Sequence, residues 1–595
     1  MALNFIKHTW QKIVLITVAI VVAIVLLLAL LVNIYWSPIL ASKVKIAVTS
    51  SSDSLYTVDF ADAKLHILQG KIVLYDINFK PDTAVYNRRK KQHRAPDNLV
   101  SLHVKRLVLS HIHPFALYFK HILNIDQIIF SAPDVDIRHQ PIIDTIPADN
   151  RTLWQKLNKT LHLVHVGQIL LNDIKFRYDD RSGIKPAVSE LKEMNLKGND
   201  LLIDSATQKD TSRLLYCKDI VANLHNYKGK TNDGLYTYTF NSLTLSTYKS
   251  QLNIEGLALE PENDFYKKSR KERFRASIDS LQLNHFDFLA YHKYHRLRAS
   301  NFMINGGNLD IFANPNKPIE HKNKTSSFPN MAIYKIPFDI KIDTLLVNRT
   351  KVTYGEFNPK SHKAGAITFN NIHGKFLNVT TNKVALQKNN IATAQITSNF
   401  MDRGKLSVFF TFNLTDKSLP YSYKGKVGPM DLQAINPATM PLAMVKVTSG
   451  TLKEFTFDIK GDVKRVGGNV ALLYNNLKVK LLKADTVNDV LKRKTIESLF
   501  ANVFIIKHDN PDNVGGVPRS VNVSYVRSAE FPFFKTIWQT LLAGIKPCVG
   551  LNARVERATT ELMDKKELKK KNRLIKKEMR KERRAGRKLK RQQKR

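Results

Sequence analysis

The residues able to do chemistry are few and scattered. His111 and His113 stand two apart in an alternating stretch, which puts both imidazoles on one face of a strand. A metal site would need further ligands, and no third one is near, so an ordinary loop role is expected. His292 and His295 in YHKYHRLR have helical spacing but no acidic neighbour, and read as a solvated basic segment. Asp134 and Asp136 share a strand face, yet a lone D-x-D reads as surface carboxylates. Neither GxxxxGK nor GxGxxG occurs, so no loop is suited to cradle a phosphate. The only cysteines, Cys217 and Cys548, form no CxxC, which excludes a zinc ribbon or a thioredoxin-like motif. A disulfide between them is open in an oxidising compartment, but the fold cannot depend on a disulfide framework. Sequons at Asn158, Asn348, Asn378 and Asn413 would matter only in a eukaryotic secretory route. The sequence thus offers no catalytic, cofactor-binding or metal-binding constellation, and a non-enzymatic role is expected.

The elements that organise the chain are more informative. Ile13 to Ile34 carries no charged residue, and only Thr17 and Asn33 interrupt its apolar side chains. About twenty apolar residues in a helix span the hydrocarbon of a bilayer. Lys7 and Lys12 precede the run, while Tyr35 and Trp36 close it as an interfacial aromatic pair. A cleaved signal peptide would have an apolar core of about 7–15 residues and an A-x-A site, and neither is present. The expectation is one signal-anchor at 13–34, with residues 1–12 cytoplasmic and the body outside the cytoplasm.

Hydrophobic residues make up 43% of the chain, as in a folded protein. Lysine and arginine total 93 against 51 acidic residues, a net charge of +42. That balance admits nucleic acid, anionic lipid or other polyanions without choosing among them. The last 31 residues alone hold eighteen basic and three acidic side chains.

From Lys43 the pattern has period two, as in KIVLYDINF and LVSLHVKRLVLS. Pro81 to Pro96, with Arg88, Arg89, Lys90 and Lys91, reads as an exposed loop. PFALYFKHILN and TLWQKLNKTLHL read as short helices, and IDQIIFSAPDVDIRHQP as two strands hinged at Pro133. FNSLTLS, IDSLQLN and IDTLLVN recur at unequal spacings, a repeated theme without a solenoid period. Asn314–Pro329 suits a linker, and a turn is expected at Gly467-Gly468. FFKTIWQTLLAGIK is too short a charge-free run to span a membrane and reads as a packed or interfacial amphipathic helix over 531–551. The fold class expected is mainly β: a long antiparallel sheet at 43–313 and 330–530, few helices, and a basic helical or disordered tail at 561–595. One face of each strand is apolar and must be hidden from water, either in a sandwich or in a groove closed by lipid chains.

The single N-terminal anchor, SLYTVDFADAKLHILQGKIVLYDINF, VKRLVLSHIHPFALYFKHILNIDQIIFSAPDVDI and, later, GKVGPMDLQAINPATMPLAMVKVTSGTLKEFTFDIKGD resemble the AsmA family of Gram-negative bacteria. The tail after Glu561 departs from that pattern. The resemblance implies an inner-membrane anchor, a periplasmic β-rich body of the repeating-groove type related to chorein-like lipid-transfer proteins, and a role in outer-membrane lipid homeostasis. Phospholipid or lipopolysaccharide would be the partner, with an outer-membrane or periplasmic protein as a further one. The competing class is a scaffold whose closed sandwich binds proteins.

Leu281 and Leu345 are the candidate lipid contacts, although alternation alone leaves both parities open. Lys569, Lys570, Arg573, Lys576, Lys577, Arg580, Arg583 and Arg584 are the candidate contacts to an anionic surface. A solvated extension is the alternative for the tail, and nucleic acid is disfavoured because no aromatic residue there could stack on bases.

Overall fold

The computed structural model describes residues 48–49, 52–66, 70–92, 94–141, 152–158, 161–181, 187–231, 233–269, 271–313, 323–336, 338–485, 490–493, 506–551, 572–573, 575–576 and 579–581. The apolar run 13–34 lies outside them. Among the described residues no helix is long and apolar enough to cross a membrane.

The protein is mainly β. In chain order the strands are β1 (Tyr56–Asp59), β2 (Asp62–His66), β3 (Lys71–Pro81), β4 (Asn98–Ile112), β5 (Ile122–His139), β6 (Leu163–Asp180), β7 (Ala187–Ile203) and β8 (Cys217–Lys230). Next come β9 (Tyr236–Ser246), β10 (Gln251–Pro261), β11 (Arg273–Asn284), β12 (Arg296–Asn305), β13 (Asn308–Ala313), β14 (Asp339–Asn358), β15 (Lys363–Thr380) and β16 (Ile391–Phe400). The last are β17 (Gly404–Asn413), β18 (Tyr421–Val427), β19 (Met430–Asp431), β20 (Val445–Gly461), β21 (Arg465–Asp485), β22 (Val490–Arg493) and β23 (Ser520–Val526). The helices are α1 (Thr83–Lys91), α2 (Pro114–Lys120), α3 (Leu153–Leu157), α4 (Phe265–Lys268), α5 (Phe288–Tyr294), α6 (Pro329–Ala332), α7 (Lys383–Lys388), α8 (Asn436–Ala443) and α9 (Phe533–Cys548). Two compact units divide the chain. The first runs to Phe312 and adds Ala332–Thr353 and Asn371–Ala394, and the second holds the remainder.

In the first unit β3 to β12 pair in chain order, and β12 then pairs with β14. Two joints are parallel, β5 with β6 and β12 with β14, so the sheet is not antiparallel throughout. Each joint follows the same local design. Helices α2 and α5 have seven residues each and end on a left-handed histidine, His121 (φ 52°) and His295 (φ 51°). The cap N–H donates back to Ala116 O in one and Ala290 O in the other, and the next strand starts at once.

A line of irregularities crosses this sheet. Positive φ occurs at Asp76 in β3, Ala132 in β5, Asp173 in β6, Glu193 in β7, Asn226 in β8 and Gly256 in β10. The register places these positions beside one another. Tyr75 pairs Arg106 and Ile77 pairs Val104, so Asp76 faces Lys105; likewise Asn226 and Gly256 both face Asn241. Each strand therefore carries its extra residue at one level, and pairing resumes unchanged beyond it. Such bulges bend a strand and increase its twist. Asp and Asn tolerate the left-handed region because a short polar side chain bonds locally. Across neighbouring strands, Asn226 Nδ2 donates to Glu193 Oε2 at 3.0 Å, and the Asp173 backbone N–H donates to Asn195 Oδ1 at 2.9 Å. A second line crosses β4 to β8 at His111, Asp126, Gly167, Asp200 and Lys218. At about 3.3 Å per residue, the six residues from Lys105 to His111 separate the two lines by about 20 Å.

In the second unit β17, β18, β20, β21 and β23 pair antiparallel in that order. Helix α9 packs on β21 and β23. Its buried residues Phe533, Thr536, Thr540, Leu541, Gly544 and Cys548 recur at helical spacing. The Phe533 ring lies 5.2 Å from those of Phe328 and Tyr421, and Val470 leaves no room for a Cβ at Gly544. The 531–551 segment is thus a packed helix.

Several local expectations change. Thr83–Lys91 is a helix rather than a loop, capped by Asp82, whose carboxylate accepts from Ala84 N and Val85 N. Pro133 does not divide two strands: β5 continues through it to His139, paired on both sides, and the irregularity sits at Ala132. Gly467-Gly468 lies inside β21, paired with Lys460 and Ile459, rather than in a turn. Cys217 and Cys548 are both free and buried.

The bulge line is testable at Gly256, where φ is +63° and a Cβ would meet the Asn241 side chain. Gly256→Ala should lower stability by about 1–2 kcal/mol, the usual cost of a left-handed alanine. Adding Asn241→Gly should recover only any steric part, as measured by urea unfolding of the two variants.

Candidate functional site

Strand pairing brings apolar side chains into one uninterrupted row. Following registers from β3 to β12 and then β14, the partners are Leu74, Leu107, Phe130, Leu171, Leu196, Ala222, Leu245, Leu252, Leu283, Phe302 and Leu345. Paired residues project to the same side of a sheet, so this row lies on a single face. A second row beside it joins Met194, Leu224, Leu243, Ile254, Leu281, Ile304 and Val347. Beyond the bulge line the inward series resumes three residues on: Ile77 after Leu74, Ile174 after Leu171, Leu257 after Ile254. The bulges thus carry the apolar face across the crease instead of ending it.

Burial changes along the row. Leu74, Leu107, Phe130 and Leu171 are buried, together with Leu123, Ile125, Val164 and Val166 beyond the second crease. Leu153, Trp154 and Leu157 of α3 and Leu117 of α2 pack into this part. From β9 onward Leu245, Leu252, Phe302, Ile304, Leu345 and Val347 are half-buried, whereas Ile254, Leu281 and Leu283 are buried, Leu283 beneath Phe286 and Tyr291 with Leu252 and Phe302 packed beside it. In the second unit, by contrast, α9 lies over β21 and β23.

The opposite face of the first unit is mixed: Val73, Val108, Ile129 and Leu170 pair across β3 to β6, with Val73 and Val108 buried, and a polar ladder runs beside them from β5 to β9. Gln127 Nε2 donates to Gln168 Oε1 at 2.8 Å, Gln168 Nε2 to Asn199 Oδ1 at 3.5 Å, and Asn199 Nδ2 to Asp219 Oδ2 at 3.5 Å. Ser246 Oγ extends the ladder by donating to Asp219 Oδ1 at 3.1 Å. Such a ladder is satisfied in water and needs no cover.

The two candidate lipid contacts fall on one face. Leu281 is 5% exposed and packs with Phe240, Ile254 and Leu257, whereas Leu345 is half-buried in the row with Leu283 and Phe302. The sequence had left their parity open, and pairing assigns both, with Leu346 and Met303 on the other side. Sequence reasoning named only these two members of the rows; the rest follow from pairing partners that no single strand reveals. Of the basic tail residues, Arg573, Lys576 and Arg580 are helical and exposed. Lys569, Lys570, Lys577, Arg583 and Arg584 lie outside the described residues.

The titratable groups are engaged locally. His111 and His113 approach Asp126 at 3.6 and 3.4 Å, and no group of three or more metal-ligating side chains occurs among the described residues. His165 bridges Asn124 Oδ1 (2.8 Å) and Asp200 Oδ1 (3.0 Å). The Arg213 guanidinium donates to Asp200 and, with His165, holds that carboxyl below the usual carboxylate range. Burial pushes the Cys217 thiol up to about 12, which leaves it a poor nucleophile. Asp134 and Asp136 stand on β5 opposite His103 and Ser101.

No protein-family model matches this sequence, and no curated protein matches it. What the geometry defines is a long sheet with continuous apolar rows on one face, several of whose members between β9 and β14 are half-buried.

The burial gradient has an energetic signature. Leu281→Ala should cost about 2–4 kcal/mol, as for a buried leucine in a packed core. Leu345→Ala should cost less than half of that, and guanidinium unfolding of both variants measures the difference.

Proposed function

We propose that this chain is a membrane-anchored, non-enzymatic envelope protein that binds lipid along its apolar face and moves it between inner and outer membrane or supports outer-membrane assembly. The observation that carries the reading is the set of half-buried members of the aligned rows from β9 to β14, Leu245, Leu252, Phe302, Ile304, Leu345 and Val347, on the face opposite the polar ladder. Apolar area removed from water contributes about 25 cal/mol per Å², so acyl chains laid along the row would bind without any specific polar group. The charged headgroup would stay at the rim, in water, where its burial cost is avoided.

The resemblance to AsmA-family proteins supports the same reading, with the apolar run 13–34 as inner-membrane anchor, the N-terminus cytoplasmic and the body periplasmic. Phospholipid or lipopolysaccharide is the cargo class. The tail, basic and exposed where described, suits an anionic lipid surface, whose attraction fades as salt screens it.

Mass spectrometry of full-length protein, purified and freed of detergent, tests this. Phospholipid or lipopolysaccharide should be retained, and Leu345→Glu with Val347→Glu should reduce it several-fold. Leu346→Glu, on the other face, should leave it unchanged. Lipid-free wild-type protein, or equal loss from both faces, would favour a closed scaffold that binds proteins instead.

A further inference from the structure

Helix α1 carries a cluster of cations that the lipid-binding face does not use. Its sequence from Thr83, TAVYNRRKK, has no acidic residue in the first turn and four basic residues in the last. Only one side is anchored: Tyr86 is buried with Leu55 and Leu99, and Val85 and Ala95 pack beside them. Arg88, Lys91 and Arg94 are exposed and Lys90 is half-buried. Among the described residues none of these four has a carboxylate within salt-bridge distance. The acids nearby are already occupied, Asp82 as the helix cap and Asp53 with Arg89 at 3.9 Å. Arg88 and Lys91 are thus exposed on the helix itself, Arg94 follows three residues beyond its end, and Lys90, four residues after buried Tyr86, lies toward the anchored side.

The place of the helix in the chain gives this cluster its partner. Arg89 Nη2 donates to Ser52 O at 3.0 Å and to Asp53 O at 2.6 Å, which fastens the basic turn to residues 52–53. Those residues follow the apolar run 13–34 by only eighteen positions, a reach of at most about 60 Å fully extended. A bilayer holding that run is therefore within range of α1.

We propose that α1 is a docking surface for anionic phospholipid headgroups, through Arg88, Lys90, Lys91 and Arg94, and that it seats the β3 end of the sheet on the membrane. This rests on the membrane-anchored reading above and assigns the contact to a surface separate from both the apolar rows and the tail. Each basic residue close to an anionic bilayer is worth about a fivefold gain in association at low salt, so the cluster suffices for a salt-sensitive contact.

The test uses the full chain in vesicles of phosphatidylcholine alone or with phosphatidylglycerol, with Asn87→Cys on the exposed side of α1 labelled by a fluorophore. Both native cysteines are buried, which confines the label. Nitroxide-headgroup lipid should quench the label more than twofold better in the anionic vesicles. The gain should vanish in high salt and on combining Arg88→Glu, Lys90→Glu, Lys91→Glu and Arg94→Glu, while a label at Lys228→Cys stays unquenched throughout. Protein that floats with vesicles but shows equal or no quenching at α1 overturns this proposal and leaves the anchor intact. Protein that floats with neither vesicle overturns both. A salt-sensitive change in the label with an oligonucleotide, and none with anionic vesicles, would reassign the surface to nucleic acid and overturn the lipid contact.

Discussion

Water's exclusion of apolar side chains, applied to a sheet whose one face carries continuous apolar rows, governs the first unit. A short sheet can meet it with a helix, as α9 does for β21 and β23 in the second unit. A sheet that pairs strand after strand from β3 to β14 presents an apolar row far longer than the seven-residue helices α2 and α5 can cover. Area and cover therefore part company in places from β9 onward, where Leu245, Phe302, Ile304, Leu345 and Val347 stay half-buried although α5 packs against Leu283. The polar ladder from Gln127 to Ser246 fixes which side faces water, so the sheet cannot relieve the mismatch by turning over.

The row survives along the sheet only because the bulges are in step. One extra residue in a single strand would move every later side chain to the wrong face. When all neighbours insert a residue at the same level, phase and pairing are both restored, as at Asp76 and Lys105 or at Asn226, Asn241 and Gly256. The choice of residues follows from the backbone: glycine, aspartate and asparagine bear a positive φ at least cost. Glu193 and Ala132 occupy the same line without that advantage.

This explains which features were legible in the sequence. Period-two alternation identified the strands, while the helices expected over PFALYFKHILN and TLWQKLNKTLHL are present only at Pro114–Lys120 and Leu153–Leu157, because β5 begins at Ile122 and β6 at Leu163. Parity was not legible, because KIVLYDINF appears to continue Ile72, Leu74 into Asp76, whereas the inward series is Ile72, Leu74, Ile77, Phe79. A bulge is a pairing event, and one strand read alone does not contain its partner. Pro133 looked like a hinge for the same reason: it sits beside Ala132, on the bulge line, within a strand that stays paired. Helix α1 was missed because its polar residues have no apolar stripe beyond Val85 and Tyr86, although Asp82 was a readable cap. The parallel joints depend on long crossovers that local pattern does not encode. Leu281 and Leu345, the candidate lipid contacts, were named from their motif, while their placement on one face came from register.

The central claim is that the half-buried row contacts lipid in the working protein. A photoreactive phenylalanine analogue placed at Phe302 in the row, or at Met303 on the opposite face, would be irradiated in intact cells. Mass spectrometry of the purified chain then reads the adduct. The account predicts phospholipid or lipopolysaccharide adducts at position 302 and none at 303. Protein adducts alone at 302, or lipid adducts in equal yield at both positions, would contradict it.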